Sequence, residues 1–316
     1  MAKTEKKPYI REKIPEDRAG WLEQRQIGIG GSDAAAALGM NPYKSKYTLF
    51  AEKSGMLTDE QEDNEAMRIG RDLEEYVARR FCEATGKKVK RSAYSYVSRE
   101  YPFMRANLDR TVVGEEAGLE CKTASALTRT KYDRGDIPIQ YYLQCLHYMA
   151  VTGWKKWYIA ILVMGKGFYW YEVKRDEAEI KVLIDNERAF WDLVQSGIPP
   201  VPDGSENTAE TIYKLYPNAV DGATADLEDM ESKLERRKEL AGLIADLKDE
   251  KEQIDNELKD HLEDCEVGFS EKYVVSWKNT ETSRVDTKLF KKEYPGIYAS
   301  VLKTTSGRRF SVKERK

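Results

Sequence analysis

The order of strand-like and helix-like segments in the N-terminal part of the chain is the strongest constraint on its fold. Alternating apolar and polar residues predict five strands, at residues 89–98, 103–113, 118–123, 156–164 and 167–175. After the third strand, residues 136–153 have helical spacing, with Pro138 near the start and Gly153 past the end. Strands that a helix interrupts predict an α/β (α+β) core, with a central mixed sheet flanked by helices.

Further helices are predicted around these strands. A glycine-rich turn opens an alanine-rich helix whose expected N-cap is Ser32 or Asp33, and a second short helix begins at Ser45. Residues 62–85 and 176–196 also have apolar side chains at helical spacing. These segments supply the helical layers that cover a mixed sheet.

A proline- and glycine-rich stretch, residues 197–205, predicts a domain boundary. We therefore expect a core at 1–203. Apolar residues then recur every three or four positions through a highly charged sequence, which predicts a long amphipathic helical arm within residues 204–268. Residues 269–316 form a small basic C-terminal module.

The charge of the chain is unevenly distributed. The net charge is -3, but residues 272–316 contain twelve Lys or Arg against four Asp or Glu. Residues 224–266 contain sixteen acids against seven bases. A local basic region can bind phosphates even when the whole chain is nearly neutral.

Cysteine and histidine usage excludes several kinds of site. The four cysteines, Cys82, Cys121, Cys145 and Cys265, form no CxxC pair, which argues against a zinc knuckle or a disulfide scaffold. Only His147 and His261 are present, too few for histidine metal sites or catalytic triads. No apolar run has the length of a membrane span or follows the basic N-terminus, so we expect a cytoplasmic protein. Carboxylates and lysines must carry any chemistry.

Residues 106–125 contain the carboxylates best placed for that chemistry. On the strand "GLECKT", alternation puts Leu119 and Cys121 on one face and Glu120 and Lys122 on the other. A hairpin would bring Asp109 beside Glu120, and paired carboxylates open to water suit Mg²⁺ or Mn²⁺. The alternative interpretation is a solvated Glu120–Lys122 pair on the outer face of an edge strand.

Four motifs in order resemble a known family. "GIGGSDAAAALG", "ANLDR", "GLECKT" and "YYLQCLHYMAVTG" are similar to the YqaJ-type phage recombination exonucleases, relatives of lambda exonuclease in the PD-(D/E)xK nuclease superfamily. The resemblance runs from about Trp21 to Trp191 and implies a restriction-endonuclease-like core. Leu108 stands before Asp109 where the superfamily motif has proline, a difference that removes no metal ligand.

The resemblance implies a metal site. Its ligands would be Asp109, Glu120, Glu74 and the backbone carbonyl of Cys121. Lys122 would assist the attacking water. Glu75 is the neighbouring alternative to Glu74, but helical phase favours Glu74, which lies one turn from the small residues Gly70 and Ala78.

The resemblance also implies a DNA 5'-phosphate-binding pocket. Arg25 and Ser32 match the residues that hold the phosphate, and glycines beside a helix N-terminus suit an anion. Gln144 matches a glutamine that flanks the catalytic residues. Gln140, Gln144 and His147 share one helical face, which we expect to line the cleft. The pattern favours a hydrogen-bonded helix residue over a catalyst for His147 itself.

The family implies a Mg²⁺-dependent exonuclease, with Mn²⁺ as a substitute, that resects linear double-stranded DNA 5'-to-3' and leaves 3' single-stranded overhangs. It implies a homo-oligomeric ring around DNA, and a single-strand annealing protein (RecT/Bet type) as partner in phage or prophage recombination. The alternatives are a PD-(D/E)xK endonuclease and a non-catalytic protein that binds DNA ends or a partner. The arm is either an oligomerisation or docking element or a solvated intramolecular helix.

Overall fold

The computed structural model describes residues 6–15, 17–57, 65–128 and 130–315. The helices are α1 Arg18–Gln26, α2 Ala34–Ala37, α3 Lys46–Lys53, α4 Glu65–Thr85, α5 Ile139–Thr152, α6 Glu177–Ser196, α7 Glu206–Leu215, α8 Glu231–Leu262, α9 Thr287–Glu293 and α10 Pro295–Val301. The strands are β1 Tyr9–Lys13, β2 Ile29–Gly30, β3 Val89–Arg91, β4 Tyr94–Ser98, β5 Met104–Asn107, β6 Arg110–Val112, β7 Ala117–Ala124, β8 Lys156–Val163, β9 Gly167–Lys174, β10 Val267–Phe269 and β11 Val274–Ser276. Residues 62–64 of the predicted helix lie outside the described residues.

The largest sheet has the strand order β3-β6-β7-β8-β9. Strands β7 and β8 are parallel, and the other pairs are antiparallel, so the sheet is mixed as predicted. Helix α5 joins β7 to β8 and ends at Gly153, whose left-handed φ of 73° terminates it as expected. Strand β7 has a partner on each side, so the alternative interpretation of "GLECKT" as an edge strand is wrong.

A second sheet has the order β1-β4-β5-β2 and differs from the sequence prediction. The predicted strands 89–98 and 103–113 each divide in two, because the chain crosses from one sheet to the other inside them. The second crossing, at residues 108–109, puts Asp109 between β5 and β6. Apolar and polar residues continue to alternate through both crossings. The sequence alone therefore does not show where the chain leaves one sheet and pairs in the other.

Helices cover both faces of the five-stranded sheet. On one face, Phe81 of α4 packs with Leu119 and Tyr158. On the other face, Leu146 of α5 packs with Ile159 and neighbouring apolar residues. The side of β7 that carries Glu120 therefore faces α5, while the Leu119 side is anchored against α4.

The chain divides into two compact units, Met1–Pro217 and Asn218–Lys316. The first ends later than the predicted boundary at residue 203, because α7 packs on α3. The Oγ1 atoms of Thr48 and Thr211 lie 2.7 Å apart in a buried hydrogen bond, and the Ser45 backbone N–H donates to Asn207 at 2.8 Å. These buried polar contacts fix α7 to the core.

The second unit contains the predicted long helix, which begins at Glu231 as α8. Most of its apolar side chains are exposed, and Leu262 is its buried residue among those described. The hairpin β10–β11 follows, and then α9 and α10, where the ring centroids of Phe290 and Tyr294 lie 6.0 Å apart. Among the described helices, none combines the length and the apolar character needed to cross a bilayer.

Gly118 has no room for a side chain. A β-carbon there would lie 2.0 Å from Cζ2 of Trp157. We expect Gly118→Ala to lower the free energy of unfolding by about 1–3 kcal/mol, because overpacking forces the buried indole to move. Urea denaturation measures this, with Gly204→Ala as control because no atom lies within 4 Å of a β-carbon added there. Equal midpoints for both variants would contradict the packing argument.

Candidate active site

The predicted site residues surround one cavity of about 340 Å³ in the first unit. Its walls come from α1, the glycine-rich turn, α4, β5 with the β5–β6 crossing, β7 and α5. Six predicted side chains line it: Arg25, Ser32, Glu74, Asp109, Glu120 and Gln144. Lys122 and Cys121 adjoin the cavity through their contacts with Glu120 and Asp109.

The two carboxylate oxygens of Glu120 have different surroundings. Oε1 accepts from Gln144 Nε2 at 2.7 Å and lies 2.7 Å from Lys122 Nζ. Oε2 is buried and has no hydrogen-bond partner among the described residues. A buried, unpaired carboxylate oxygen is costly. One oxygen thus fixes the side chain, and the other is free to bind a ligand.

Asp109 is tied to the same strand. Its Oδ2 accepts from the backbone N–H of Cys121 at 2.9 Å, which links the β5–β6 crossing to β7. Burial raises the pKa of Asp109 to about 8, and the negative charge of Glu120 adds to the effect. Two carboxylates that repel each other in a buried site favour a bound cation.

Lys122 balances part of this negative charge. Burial alone would lower the pKa of Lys122, but the charges of Glu120 and Asp109 raise it above its ordinary value. Its Nζ also lies 5.2 Å from the ring centroid of Tyr141. Lys122 is therefore a fixed cation that donates hydrogen bonds.

Glu74 and Glu75 both contact Arg110, a buried residue that follows Asp109. The Glu74 side chain is 23% exposed and lines the cavity, whereas that of Glu75 is 79% exposed and bonds Arg110 from outside. This placement favours Glu74, as helical phase predicts. Within the described ranges, no three His, Cys, Asp or Glu side chains are arranged to hold a metal ion. Glu74, Asp109 and Glu120 nevertheless line the same cavity.

The glycine-rich turn is held by buried charges. Arg25 donates to Ser32 Oγ at 3.4 Å and lies 3.5 Å from Asp33, whose carboxylate is 2.7 Å from Lys53. Burial would raise the pKa of Asp33, but these cations hold it well below its usual range. Asp33 accepts from the Gly30 backbone N–H at 3.1 Å. It makes no side-chain cap bond to α2, so this carboxylate braces the turn instead of acting as the expected helix cap.

Gly31 lets this turn touch α5. A β-carbon at Gly31 would lie 2.4 Å from Cε1 of Tyr148 and 3.1 Å from Cγ of Gln144. Tyr148 also accepts a hydrogen bond from Gln144 Nε2 at 2.8 Å. Helix α5 therefore contacts both the predicted phosphate pocket, through Tyr148, and the carboxylate pair, through Gln144.

His147 lies outside this cavity. It is fully buried, with Nδ1 2.8 Å from Glu187 and Nε2 2.9 Å from the Arg105 carbonyl oxygen. Gln140 does not line the cavity either. The expectation that this face lines the cleft is wrong for His147, because α6 and β5 cover α5 there and make it a hydrogen-bonded helix residue. Gln140 is half-buried near the start of α5.

Sequence reasoning missed several cavity-lining polar residues, among them Gln24, Arg105, Asn107 and Tyr148. On a strand, residues 105, 107 and 109 share one face. The two-residue spacing from Asp109 was therefore a signal for Asn107 and Arg105. Gln24 precedes Arg25 on a short helix, where nothing in the pattern distinguishes it from a surface residue.

The shifted pKa of Asp109 predicts a pH-dependent stability. In chelator, the folded chain keeps this proton to about pH 8, whereas the unfolded chain loses it near pH 4. The folded state binds more protons between these values, so its stability falls as pH rises. We expect Asp109→Asn to melt increasingly above wild type from pH 4 to 8 by circular dichroism. Asp192→Asn, an exposed acid on α6, should track wild type. Parallel curves for Asp109→Asn and wild type would contradict the burial of this charge.

Comparison with known proteins identifies relatives. Residues 20–155 match the family model of the YqaJ-like viral recombinase domain. The uncharacterized protein YqaJ of Bacillus subtilis is 37% identical over 305 residues, 94% of each chain. An alkaline exonuclease from Laribacter hongkongensis is 21% identical with a TM-score of 0.48, and the match covers 62% of this chain and 99% of that one.

A phage related exonuclease from Haemophilus somnus is 15% identical with a TM-score of 0.39, and the match covers 56% of this chain and 99% of that one. The similarity to the Bacillus protein extends over nearly the whole of both chains, and the recombinase-domain match contains all four motifs that carry the resemblance. This chain belongs to the YqaJ-like viral recombinase family.

Proposed function

We propose that this chain is a divalent-metal-dependent exonuclease that degrades linear double-stranded DNA from the 5' end and leaves 3' overhangs. The observation that carries the proposal is the divided environment of Glu120. One of its oxygens is anchored by Gln144 and Lys122, and the other is buried and unpaired beside Asp109. Family membership supports a role in DNA recombination.

The residues present fit Mg²⁺, with Mn²⁺ as a substitute. Mg²⁺ is commonly bound by one or two carboxylates together with water and substrate phosphate. Asp109, Glu120, Glu74 and the backbone carbonyl of Cys121 would hold the ion, and Glu74 contacts Arg110 through Oε1. When bound, the ion supplies Lewis-acid activation of water and charge neutralisation at the phosphate.

The other side chains orient the reactants. Lys122 donates toward the reacting phosphate or water and offsets negative charge that develops there. Gln144 fixes the rotamer of Glu120, and Tyr148 fixes Gln144 in turn. Because these groups are buried and mutually bonded, they need no reorganisation during the reaction.

The phosphate pocket would determine the strand end at which digestion starts. Arg25 is fixed by Asp33 and by Trp21, whose ring centroid lies 4.9 Å from its guanidinium carbon. A preorganised guanidinium beside the Ser32 hydroxyl suits a terminal 5'-phosphate. An enzyme that recognises this group starts at the 5' end of one strand.

Assembly and partners extend the same proposal. A homo-oligomeric ring, a single-strand annealing protein of the RecT/Bet type and the cytoplasm of a bacterial host follow from the family resemblance. The basic segment at residues 272–316 supports contact with DNA, since twelve bases stand against four acids there. A ring also explains how a nearly neutral chain would retain DNA.

One experiment separates the candidate functions. End-labelled linear duplex and covalently closed plasmid are incubated with the full chain in Mg²⁺ or in chelator. We expect Mg²⁺-dependent loss of the linear duplex alone. Cleavage of the plasmid would indicate an endonuclease, and binding without cleavage of either substrate would indicate a non-catalytic DNA-binding protein.

The carboxylate–lysine set predicts the effect of single substitutions. We expect Asp109→Ala and Lys122→Ala each to slow Mg²⁺-dependent digestion about a hundredfold or more, because the first removes a metal ligand and the second removes a cation that offsets charge at the reacting phosphate. Initial rates on end-labelled duplex measure this. Lys174→Ala, an exposed residue at the end of β9, is the matched control and should keep the wild-type rate. Wild-type rates for Lys122→Ala would refute its assigned role.

The phosphate pocket predicts a preference for the chemical state of the DNA end. Wild type should digest a 5'-phosphorylated duplex about tenfold faster than a 5'-hydroxyl duplex, since hydrogen bonds to charged groups contribute about 1.5–3 kcal/mol. Arg25→Ala and Ser32→Ala should reduce this rate ratio toward one. Arg188→Ala, whose guanidinium lies over the ring of Tyr101, should keep it. An unchanged ratio in Arg25→Ala would exclude this pocket as the phosphate site.

A further inference from the structure

The second unit has almost no interior of its own. Among its described residues, 218–315, Leu262 is the one buried side chain. A chain of this length ordinarily buries many apolar side chains, and that burial must offset the conformational entropy lost on folding. The second unit therefore has to bury apolar surface against something beyond its own interior.

Helix α8 has a long exposed apolar stripe. Its large aliphatic side chains follow each other at steps of three, four or seven residues, which places them on one face of the helix. They are 41–64% exposed: Leu240, Ile244, Leu247, Ile254 and Leu258. The stripe is about 27 Å long, since a helix rises 1.5 Å per residue. Apolar surface of this extent is typical of a protein interface.

The C-terminal half of this stripe is acidic. Residues 246–260 contain seven Asp or Glu against three Lys. Glu250 and Glu257 lie next to the stripe, each directly before one of its positions. A second α8 packed against this half would place acid beside acid, which opposes association. The surface that complements this half is apolar and basic.

The same chain has a surface of that kind on α9 and α10. Residues 287–303 contain four Lys against one Glu. Phe290 and Tyr298 hold the two helices together, with ring centroids 6.1 Å apart. Three apolar side chains, 55–65% exposed, share one face of α10 at helical spacing: Tyr294, Ile297 and Val301.

Within one chain both surfaces remain exposed. The tail after α10 contacts the N-terminal part of α8, where the guanidinium carbon of Arg237 lies 5.8 Å from the ring centroid of Phe310 and Lys238 pairs with Glu314. The tail thus contacts α8 outside its acidic half.

We infer that the acidic stripe of α8, at residues 246–260, binds the basic face of α9 and α10, at residues 287–303, of a second copy of this chain. Both surfaces are apolar and their charges are opposite, so they complement each other. A reciprocal pair of chains would cover both surfaces on each copy. The inference goes beyond the proposed function, because this contact lies outside residues 20–155, which match the family model, and requires neither DNA nor a metal.

Photo-crosslinking between two copies tests this contact. The full chain is made as Leu247→p-benzoylphenylalanine, in an unlabelled and in an isotopically heavy form. The two forms are mixed without DNA and irradiated, and the crosslinked peptides are identified by mass spectrometry. We expect products that join residue 247 of one form to residues 287–303 of the other. Leu243, half-exposed beside the stripe, takes the photoreactive group if the first variant does not fold.

Charge exchange tests the specificity of the contact. Glu250→Lys with Glu257→Lys should lower the yield of the mixed product about tenfold, because like charges then face each other. Lys291→Glu with Lys292→Glu should have the same effect. These four side chains are exposed, so the fold is kept, and circular dichroism checks it. The matched control is Lys166→Glu with Lys214→Glu, two exposed lysines of the first unit, and it should keep the wild-type yield.

Mixing the two charge-reversed chains is the decisive step. Each alone gives little product, but together they pair a basic α8 with an acidic α9 and should restore the yield. A contact within one chain cannot be restored in this way. Absence of products that join the two forms, products confined to one form, or failure of the mixture to restore the yield would each overturn the inference. DNA digestion by wild type is measured separately, so a failure of the proposed function is distinguishable from a failure of this contact.

Discussion

The arrangement of the site depends on the burial of Glu120 on a central strand. Burying a carboxylate is costly unless hydrogen bonds or a cation compensate it. The chain bonds one oxygen with Gln144 and Lys122, and both donors come from elements that are themselves fixed, α5 and β7. The strand is central because β6 and β8 pair with it on both sides, and Glu120 on it is buried.

Helix α5 joins this carboxylate to the rest of the first unit. Its residues contact the carboxylate through Gln144, the glycine-rich turn through Tyr148, and α6 through the buried His147–Glu187 pair. Both members of that pair are fully buried, and Nδ1 of the imidazole lies 2.8 Å from the Glu187 carboxylate. Polar contacts of this kind specify one helix orientation, since any other leaves buried groups unpaired.

The sequence predicts those parts of the structure that local patterns encode. The helix containing Gln144, the β8–β9 hairpin and the two faces of β7 follow from spacing over a few residues, and they are confirmed. The family resemblance is confirmed as well. The roles assigned to Asp109, Glu120 and Lys122 remain proposals.

The features that the sequence does not predict depend on distant partners. The crossing at residues 108–109 requires knowing that β5 pairs with β4 while β6 pairs with β7. Likewise, Arg110 holds Glu74 and Glu75 across a long stretch of chain. Asp33 looks like a helix cap, but its role depends on Lys53, twenty residues away. Alternation and capping preferences contain no information about such partners.

The contact of Gly31 with Tyr148 has a geometric consequence. Gln144 and Tyr148 stand one helical turn apart, a rise of about 6 Å along the axis of α5. One supports the carboxylate and the other supports the glycine-rich turn. The separation between these two ends of the cavity is therefore set by a single turn of α-helix, which is a stiff element of the backbone. Any molecule that contacts both ends of the cavity must match that fixed separation.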